Sequence, residues 1–454
     1  MGERLDEFWQ QYGVHTQTQT RDTRAYGYHY LSGILRLKSG RTLAEISRTA
    51  GVSHQNMHHY ISNSPWSGPR VIRQVRTDIG WHPHFEQGSV LIGDESADER
   101  RGERVVGGGR QYNGRLGKVD LSQVGVFLSL AKDGRHNWID GELYLPAQWF
   151  EEEYAALRQQ VGVPDERTFQ TKIELFWQMV ERAQREEVPF VAVCVDGLYG
   201  QSFWLRTQLD QAGIEFYADV PANTRVYLAE PTIGVPQNRR GRKAHKAQVL
   251  SPLSLRVEDL RSHPAVIWHS LTLRPTERGW LTADFARLPV WTVQDDLTVT
   301  KQWLLMRKEG KKHSYTLSNA APETPLKVMA LRKSQRYFIE RDNQEAKSDF
   351  GWDEIQTTSF IAWQHQLALT ILAQWFITQT RLDWDETYQR DPDLLTLYDT
   401  DLLPALSVAN VRDLLRAALP LPTLSPLQAA ALVVEHLEYR TRSRHSRILN
   451  RSGP

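Results

Sequence analysis

The hydrophobic pattern changes its period several times along the 454-residue chain, and each change marks a different kind of element. Residues 1–85 carry apolar positions at helical spacing and few strand-like runs. Residues 86–220 contain the apolar runs SVLIGDES, VGVFLSLA and VPFVAVCV and the amphipathic stretch TFQTKIELFWQMVERAQREE. Their order, β-β-β-α-β-α-β, predicts a mixed sheet covered by helices.

Short β-branched and aromatic runs dominate residues 221–325 and predict a separate all-β insertion; AVIWHSLTL, LPVWTVQDD and KQWLLMRKE are examples. Helical periodicity returns in residues 326–385, and residues 386–454 contain proline-punctuated helices and a basic tail. The longest apolar stretch, IAWQHQLALTILAQWFI, includes polar side chains and predicts a buried helix rather than a membrane span. The predicted fold class is therefore α/β, with a helical N-terminal domain, an inserted β region and a helical C-terminal region.

Two apolar runs end on a carboxylate. Asp94 follows SVLIG, and Asp196 follows VPFVAVCV. Because a buried strand does not tolerate an unpaired carboxylate, we expect both acids at the carboxyl ends of their strands, where α/β sheets collect ligands. The alternative role for Asp196 is to cap the helix that follows it.

A third acid lies on a predicted helix, SQRYFIERDNQEAKSDFGW. At about 100° per residue, Arg336, Glu340 and Lys347 share one face of this helix, flanked by Asn343. A solvated face with charge pairs is the alternative, but the apolar segment that follows favours a helix docked on the core. Three carboxylates in one cleft repel one another, and oxygen-ligated Mg²⁺ or Mn²⁺ would relieve that repulsion.

The order of these acids resembles that of the DDE transposases, which share the RNase H-like fold. The spacing R-x3-E-x6-K of Arg336, Glu340 and Lys347 matches the helix signature of insertion-sequence transposases that have a β insertion before their glutamate. The segments GGGRQYNGRLGKVDLSQVGVFLSLA, VDGLYG and ERDNQEAKSDFGWDE resemble insertion-sequence family seven-oh-one, and the resemblance spans about residues 30–385. In the helix signature a tyrosine stands where this chain has Lys333, and Tyr337 lies nearby.

The resemblance implies a cut-and-paste DNA transposase that works as a homodimer on the terminal inverted repeats of double-stranded DNA. Asp94, Asp196 and Glu340 would hold two Mg²⁺ or Mn²⁺ ions, with Glu95 as a lesser candidate, and the β insertion would help to hold the DNA end. A nuclease of the same fold that cuts without joining is one alternative. A DNA-binding regulator that has lost the chemistry is another.

The net charge of +1 means that DNA binding must come from local patches. TLAEISRTAGVSHQNMHHYIS predicts a helix-turn-helix at 42–62, whose reading helix places His54, Gln55 and His58 near its start; a plain helical hairpin is the alternative. The basic positions expected to contact phosphates are Arg110, Arg115, Lys118, Arg239, Arg240, Arg242, Lys243, Lys246, Lys308, Lys311 and Lys312. Arg336, Lys347 and Asn343 are expected to contact DNA beside the acids. Solvated surface is the alternative for the exposed basic loops. For Gln111 and Tyr112 we expect a structural role, with DNA contact as the alternative.

The cysteine content indicates the compartment. Cys194 is the single cysteine, so internal disulfides and cysteine-rich zinc sites are excluded and a reducing environment is expected. The segment MGERLDEFWQQYG is polar and lacks a signal-peptide core. We therefore expect a protein of the bacterial cytoplasm that acts at the nucleoid.

Overall fold

A computed structural model describes most of the chain. The described residues are 1–18, 21–100, 102, 104–114, 116–236, 245–250, 253–276, 279–421 and 425–451. Five of the predicted DNA contacts lie outside these residues: Arg115, Arg239, Arg240, Arg242 and Lys243.

Five helices form the N-terminal region: α1 (Gly2–Gly13), α2 (Arg24–Arg36), α3 (Leu43–Ala50), α4 (His54–Ser62) and α5 (Gly68–Gly80). Helices α3 and α4 are short and are joined by a turn at residues 51–53. Thr42 caps α3 by accepting a hydrogen bond from the Glu45 amide, and Ser53 caps α4 in the same way. Gly51 takes the left-handed conformation, with φ of 68°, that the turn between them requires.

The central part of the chain forms a mixed sheet with its covering helices. Its elements are β1 (Val90–Glu99), β2 (Gly109–Asn113), β3 (Lys118–Lys132), β4 (Arg135–Tyr144), α6 (Ala155–Gln160), α7 (Lys172–Arg185), β5 (Ala192–Val195), α8 (Gly197–Gly200), α9 (Phe203–Gln211) and β6 (Phe216–Val220). Strand β3 pairs antiparallel with both β1 and β4, whereas β1, β5 and β6 run parallel to one another. The strand order β4-β3-β1-β5-β6 confirms the predicted α/β class with an RNase H-like mixed sheet.

The inserted region is rich in strands. These are β7 (Arg225–Val226), β8 (Ile233–Gly234), β9 (Gln248–Val249), β10 (Leu255–Arg256), β11 (His269–Thr276), β12 (Gly279–Val293), β13 (Val299–Glu309) and β14 (Lys312–Ser318). They have a small core of their own, which includes Val226, Leu288 and Leu304.

The sequence predicted a separate all-β insertion, but the inserted strands are continuous with the central sheet. Strands β11 to β14 form an antiparallel meander, and β14 pairs antiparallel with β6. The meander therefore extends the central sheet to ten strands. The physical reason is that β6 would otherwise leave an edge of unpaired backbone groups, which β14 satisfies.

Helices complete the chain after the insertion: α10 (Leu326–Ser334), α11 (Tyr337–Ser348), α12 (Phe360–Asp383), α13 (Pro392–Leu397), α14 (Val408–Ala418) and α15 (Pro426–Arg451). Helix α12 is buried and contacts α2, α4, α5 and β4. Its His365 ring stacks on Trp66 at 3.6 Å and lies 2.8 Å from the Ile61 carbonyl oxygen. The N-terminal helices thus share one core with the sheet instead of packing apart from it. Among the described helices, none combines the length and apolar character of a membrane span.

Candidate active site

Two carboxylates lie side by side where β1 and β5 run parallel. Gly93 pairs with Val195, so the next residues along the two strands are Asp94 and Asp196. Neighbouring strands lie about 4.7–4.9 Å apart, which brings these acids to one place. The sequence put Asp94 at the end of its strand, but β1 continues to Glu99 because β3 pairs with it along its whole length. It is β5 that ends there, and this opens the space beside Asp94.

Backbone amides orient both acids. Asp94 Oδ1 accepts a hydrogen bond of 2.8 Å from the Glu95 amide. Asp196 Oδ1 accepts from the amides of Leu198 and Tyr199 at 2.9 and 3.2 Å, so Asp196 caps the four-residue helix α8. The capping role and the site role considered for Asp196 are therefore compatible, because the cap uses one carboxylate oxygen.

The electrostatics of the two acids are those of a crowded anionic site. Burial raises the pKa of Asp94 to about 7, and repulsion from Asp196 and Glu95 adds to that effect. Burial also raises the pKa of Asp196, with a further contribution from Glu95. The Arg336 guanidinium lowers the pKa of both acids. This edge of the sheet therefore favours any cation that can neutralise the carboxylates.

Glu340 lies on the outward face of α11 and is paired with Arg336. The distance from Arg336 Nη2 to Glu340 Oε1 is 2.7 Å, and the Glu340 side chain is 52% exposed. Arg336 Nε also lies 3.4 Å from Asp219 Oδ2. Asp94, Asp196 and Glu340 do not form a trio whose carboxylate oxygens all lie within 4.8 Å of one another. Arg336 is thus the link between Glu340 and the two aspartates, since it acts on all three carboxylates.

The other predicted residues of α11 tie the helix to the sheet. Lys347 Nζ lies 2.9 Å from Asp98 Oδ1 and donates a 2.8 Å hydrogen bond to the Ala97 carbonyl. Asn343 Oδ1 accepts a 3.2 Å hydrogen bond from the Trp138 indole. Both side chains also line a cavity of about 390 Å³ next to Ser96. A phosphate bound in this cavity would compete with Asp98 and the Ala97 carbonyl of β1 for the Lys347 ammonium group.

On the opposite face of α11, Asp342 and Glu345 form a buried group with His136 of β4. Among the described residues this is the one group of three such side chains with all its ligand atoms within 4.8 Å. Asp342 and Glu345 lie about 200° and about 140° from Glu340 around the helix axis, so the group faces away from the two aspartates. His136 Nδ1 lies 2.7 Å from Asp342 Oδ1, and Arg341 pairs with Glu345 at 3.3 Å. These contacts join α11 to β4.

Sequence reasoning missed one acid of the site, Asp219. It lies near the end of β6, the parallel neighbour of β5. Lys333 Nζ lies 3.2 Å from its Oδ2, and Thr316 donates to its Oδ1. The apolar run IEFYADVP, which also ends near an acid, was the available signal. Asp219 holds Arg336 in place, and Lys333 supports it from the position where the helix signature has a tyrosine.

The remaining predicted DNA contacts lie on the surface wherever they are described. On α4, Gln55 and His58 are exposed and His54 is half-buried, while Met57, Tyr60 and Ile61 face the core. The exposed basic residues are Arg110, Lys118, Lys246, Lys308, Lys311 and Lys312. Lys118 pairs with Asp120 at 2.8 Å. Their exposure suits contact with DNA and suits plain solvation equally well.

Comparison with known proteins identifies the family. Residues 13–279 match the family described as DDE superfamily endonuclease, which covers more than half of the chain and includes Asp94 and Asp196. The chain is also 24% identical over 362 residues to the probable transposase for insertion sequence element IS701 of Microchaete diplosiphon, covering 78% of this chain and 82% of that protein. Glu340 lies outside the family match, so its role stays a prediction. On the extent of that match, the chain belongs to the DDE superfamily of endonucleases.

Proposed function

We propose that this protein is the transposase of an insertion sequence, cutting DNA at the element's ends and joining the freed 3′ hydroxyl to target DNA. Membership of the DDE superfamily and the name of the relative support this function. The observation that carries it is the juxtaposition of Asp94 and Asp196 at the edge where β5 ends. The repulsion that Asp196 exerts on the half-buried Asp94 is expected of carboxylates that share cations.

The residues that would hold the metal are Asp94, Asp196 and Glu340. Their donor set consists of carboxylate oxygens alone, which suits Mg²⁺ or Mn²⁺. When bound, two such ions supply positive charge to the attacking and leaving oxygens of a phosphodiester. Glu340 has a long, exposed side chain. By rotating about its side-chain bonds, its carboxylate can leave Arg336 and reach a metal ion.

Arg336 is the chain's own cation at this site. Asp219 holds its Nε, while the charge of the guanidinium acts on Asp94, Asp196 and Glu340. When Glu340 turns to a metal, the freed guanidinium nitrogens can bind a phosphate oxygen of the scissile strand. Arg336 therefore orients Glu340 in one state and the substrate in the other.

Binding of the element's ends is assigned to surfaces away from the acids. The exposed face of α4, with Gln55 and His58, would meet base edges in the major groove. The lysines of the β13–β14 hairpin, Lys308, Lys311 and Lys312, would contact phosphates. Two copies of the chain would hold the two ends, as the resemblance implies.

The test uses purified protein, labelled DNA that carries the element's ends, a target plasmid and Mg²⁺. The proposed function predicts both cut ends and products in which an end is covalently joined to the plasmid. Cutting without joining would assign a nuclease. Binding without cutting in either Mg²⁺ or Mn²⁺ would assign a regulator and reject the catalytic role of the acids.

A further inference from the structure

A second cavity adjoins Asp94 on the side of strand β2. It has a volume of about 260 Å³, and Asp94, Ser96, Tyr112, Lys172 and Lys347 are among the residues that line it. Ligand pockets for drug-sized molecules have about 300–1,000 Å³, so this cavity suits a single planar group rather than a stretch of polymer. Its lining thus combines carboxylates, one aromatic ring and two lysines.

Tyr112 is the aromatic residue of this lining, and most of its surface is open to solvent. The Tyr112 side chain is 64% exposed, whereas its neighbours on β2 point inward. The side-chain amide of Gln111 donates a 3.2 Å hydrogen bond to the Ser122 carbonyl oxygen. The buried side chain of Asn113 donates a 3.2 Å hydrogen bond to the Ser122 hydroxyl. Because side chains alternate along a strand, the contacts of Gln111 and Asn113 fix β2 and aim the Tyr112 ring outward beside Asp94.

Lys172 provides the charge that a nucleotide would need. It begins helix α7, and its Nζ lies 3.0 Å from Glu95 Oε1 and 5.7 Å from the centre of the Tyr144 ring. The side chain is 24% exposed, so the ammonium group remains in reach of a ligand in the cavity. Lys172 and the exposed Tyr112 ring line the cavity together with Asp94, and they match the phosphate and the base of one nucleotide.

We infer that this cavity takes the base of a nucleotide that flanks the scissile phosphate, with Tyr112 stacked on that base and Lys172 facing its phosphate. The inference rests on the proposed function and adds a subsite to it. A base can enter this cavity, beside the half-buried Asp94, only when it leaves the stack of the duplex. Unstacking a base costs a few kcal/mol, and an aromatic platform offsets that cost for any base.

The test is a double-mutant cycle on the cleavage rate. It combines Tyr112→Ala with DNA ends in which one nucleotide at a time, on either side of the cleavage position, is abasic. Tyr112→Ala should slow cleavage of intact ends by about 10- to 100-fold, the range expected from loss of one stacked base. Tyr112→Phe keeps the ring and should stay close to wild type. At one position an abasic nucleotide, which leaves no base to unstack, should bring Tyr112→Ala back toward the wild-type rate, whereas at the other positions the defect of Tyr112→Ala should persist.

The matched control is Tyr398→Ala, because Tyr398 is 65% exposed and does not line the cavity. Losses that add at every abasic position, or a Tyr112→Ala enzyme as active as Tyr398→Ala, would overturn the inference and leave the proposed function standing. If the wild type binds ends but never cuts, the proposed function fails instead. The same cycle measured as end-binding affinity then decides the subsite, with coupling at one position supporting it and strict additivity rejecting it.

Discussion

At the scale of single residues, the two glycines of VDGLYG differ in what surrounds them. A Cβ on Gly200 would lie 2.0 Å from the Asp219 carbonyl oxygen, whereas a Cβ on Gly197 would meet nothing within 4 Å. Gly200→Ala must push α8 off β6 and should lower the free energy of unfolding by about 1–3 kcal/mol. Gly197→Ala, in the same short helix, should change it by less than about 0.5 kcal/mol. Urea unfolding measures both, and equal midpoints would contradict the close packing of α8 on β6.

The raised pKa of Asp94 has a consequence for stability without divalent cations. The pKa rises from 3.8 to about 7 on folding, so the folded protein binds the proton more tightly and its stability falls as the pH rises through that window. Asp94→Asn removes the charge and should raise the melting temperature at about pH 8 in a chelating buffer. The gain should shrink toward about pH 4. A gain that does not vary with pH, or a loss at about pH 8, would contradict the repulsion described here.

The sequence predicted some site residues and missed another for a physical reason. Asp94 and Asp196 follow apolar runs, and parallel pairing of β1 with β5 brings them together. Asp219 follows a similar run on β6, but its importance depends on Lys333 of α10 and on Arg336 in the turn before α11, more than a hundred residues later. Such contacts are set by tertiary packing, which a local pattern does not reveal.

At the scale of elements, the position of α11 depends on a buried ion pair. Lys347 and Asp98 are 2.9 Å apart with side chains 17% and 3% exposed. Lys118 and Asp120 are as close, 2.8 Å, but are 63% and 33% exposed. Lys347→Ala removes the nearest cation from Asp98, which keeps the 2.6 Å hydrogen bond from the Trp352 indole and has Arg100 at 4.0 Å. The variant should therefore cost about 1–3 kcal/mol of unfolding free energy.

Lys118→Ala is the matched control for this prediction, because the same chemical pair is broken at the surface. Solvent screens exposed pairs, so this variant should unfold much as the wild type does. Thermal or urea unfolding of the two variants side by side gives the comparison. Equal losses would mean that the Lys347 pair does not anchor α11 on β1.

The sequence predicted whether a segment is a helix or a strand better than it predicted which strands pair. Short β-branched and aromatic runs indicated the strands of the β insertion, and the predicted return to helix at residue 326 coincides with the start of α10. The pairing of β14 with β6 joins segments about a hundred residues apart, and no turn signal specifies it. That is why the insertion looked separate in sequence and is continuous with the central sheet in the structure.

At the scale of the whole molecule, the N-terminal helices are held by the late helix α12. His365 contacts the Ile61 and Trp66 carbonyls at 2.8 and 2.7 Å, and both regions contribute to one apolar core. We therefore expect one cooperative unfolding transition for residues 1–85 together with the sheet. Limited proteolysis of the native protein should not release this segment. A stable fragment that begins near residue 86 would show instead that the N-terminal helices fold and pack on their own.

Asp196→Asn tests whether Asp196 holds a catalytic metal. Asparagine has nearly the same shape and is a good helix cap, so the variant should still cap α8 and fold. Phosphate contacts made elsewhere carry most of the affinity, so binding to the element's ends should persist. Asp296→Asn, which changes an exposed acid of the β12–β13 turn, is the control.

The measurement is the rate at which labelled ends are cut in Mg²⁺. If Asp196 holds the metal, Asp196→Asn should still bind the ends. It should cut them slower than wild type by orders of magnitude, because the metal-assisted stabilisation of the transition state is lost. Asp296→Asn should cut at the wild-type rate. Cutting by Asp196→Asn at the rate of wild type and of Asp296→Asn would contradict the assignment of this edge of the sheet as the active site.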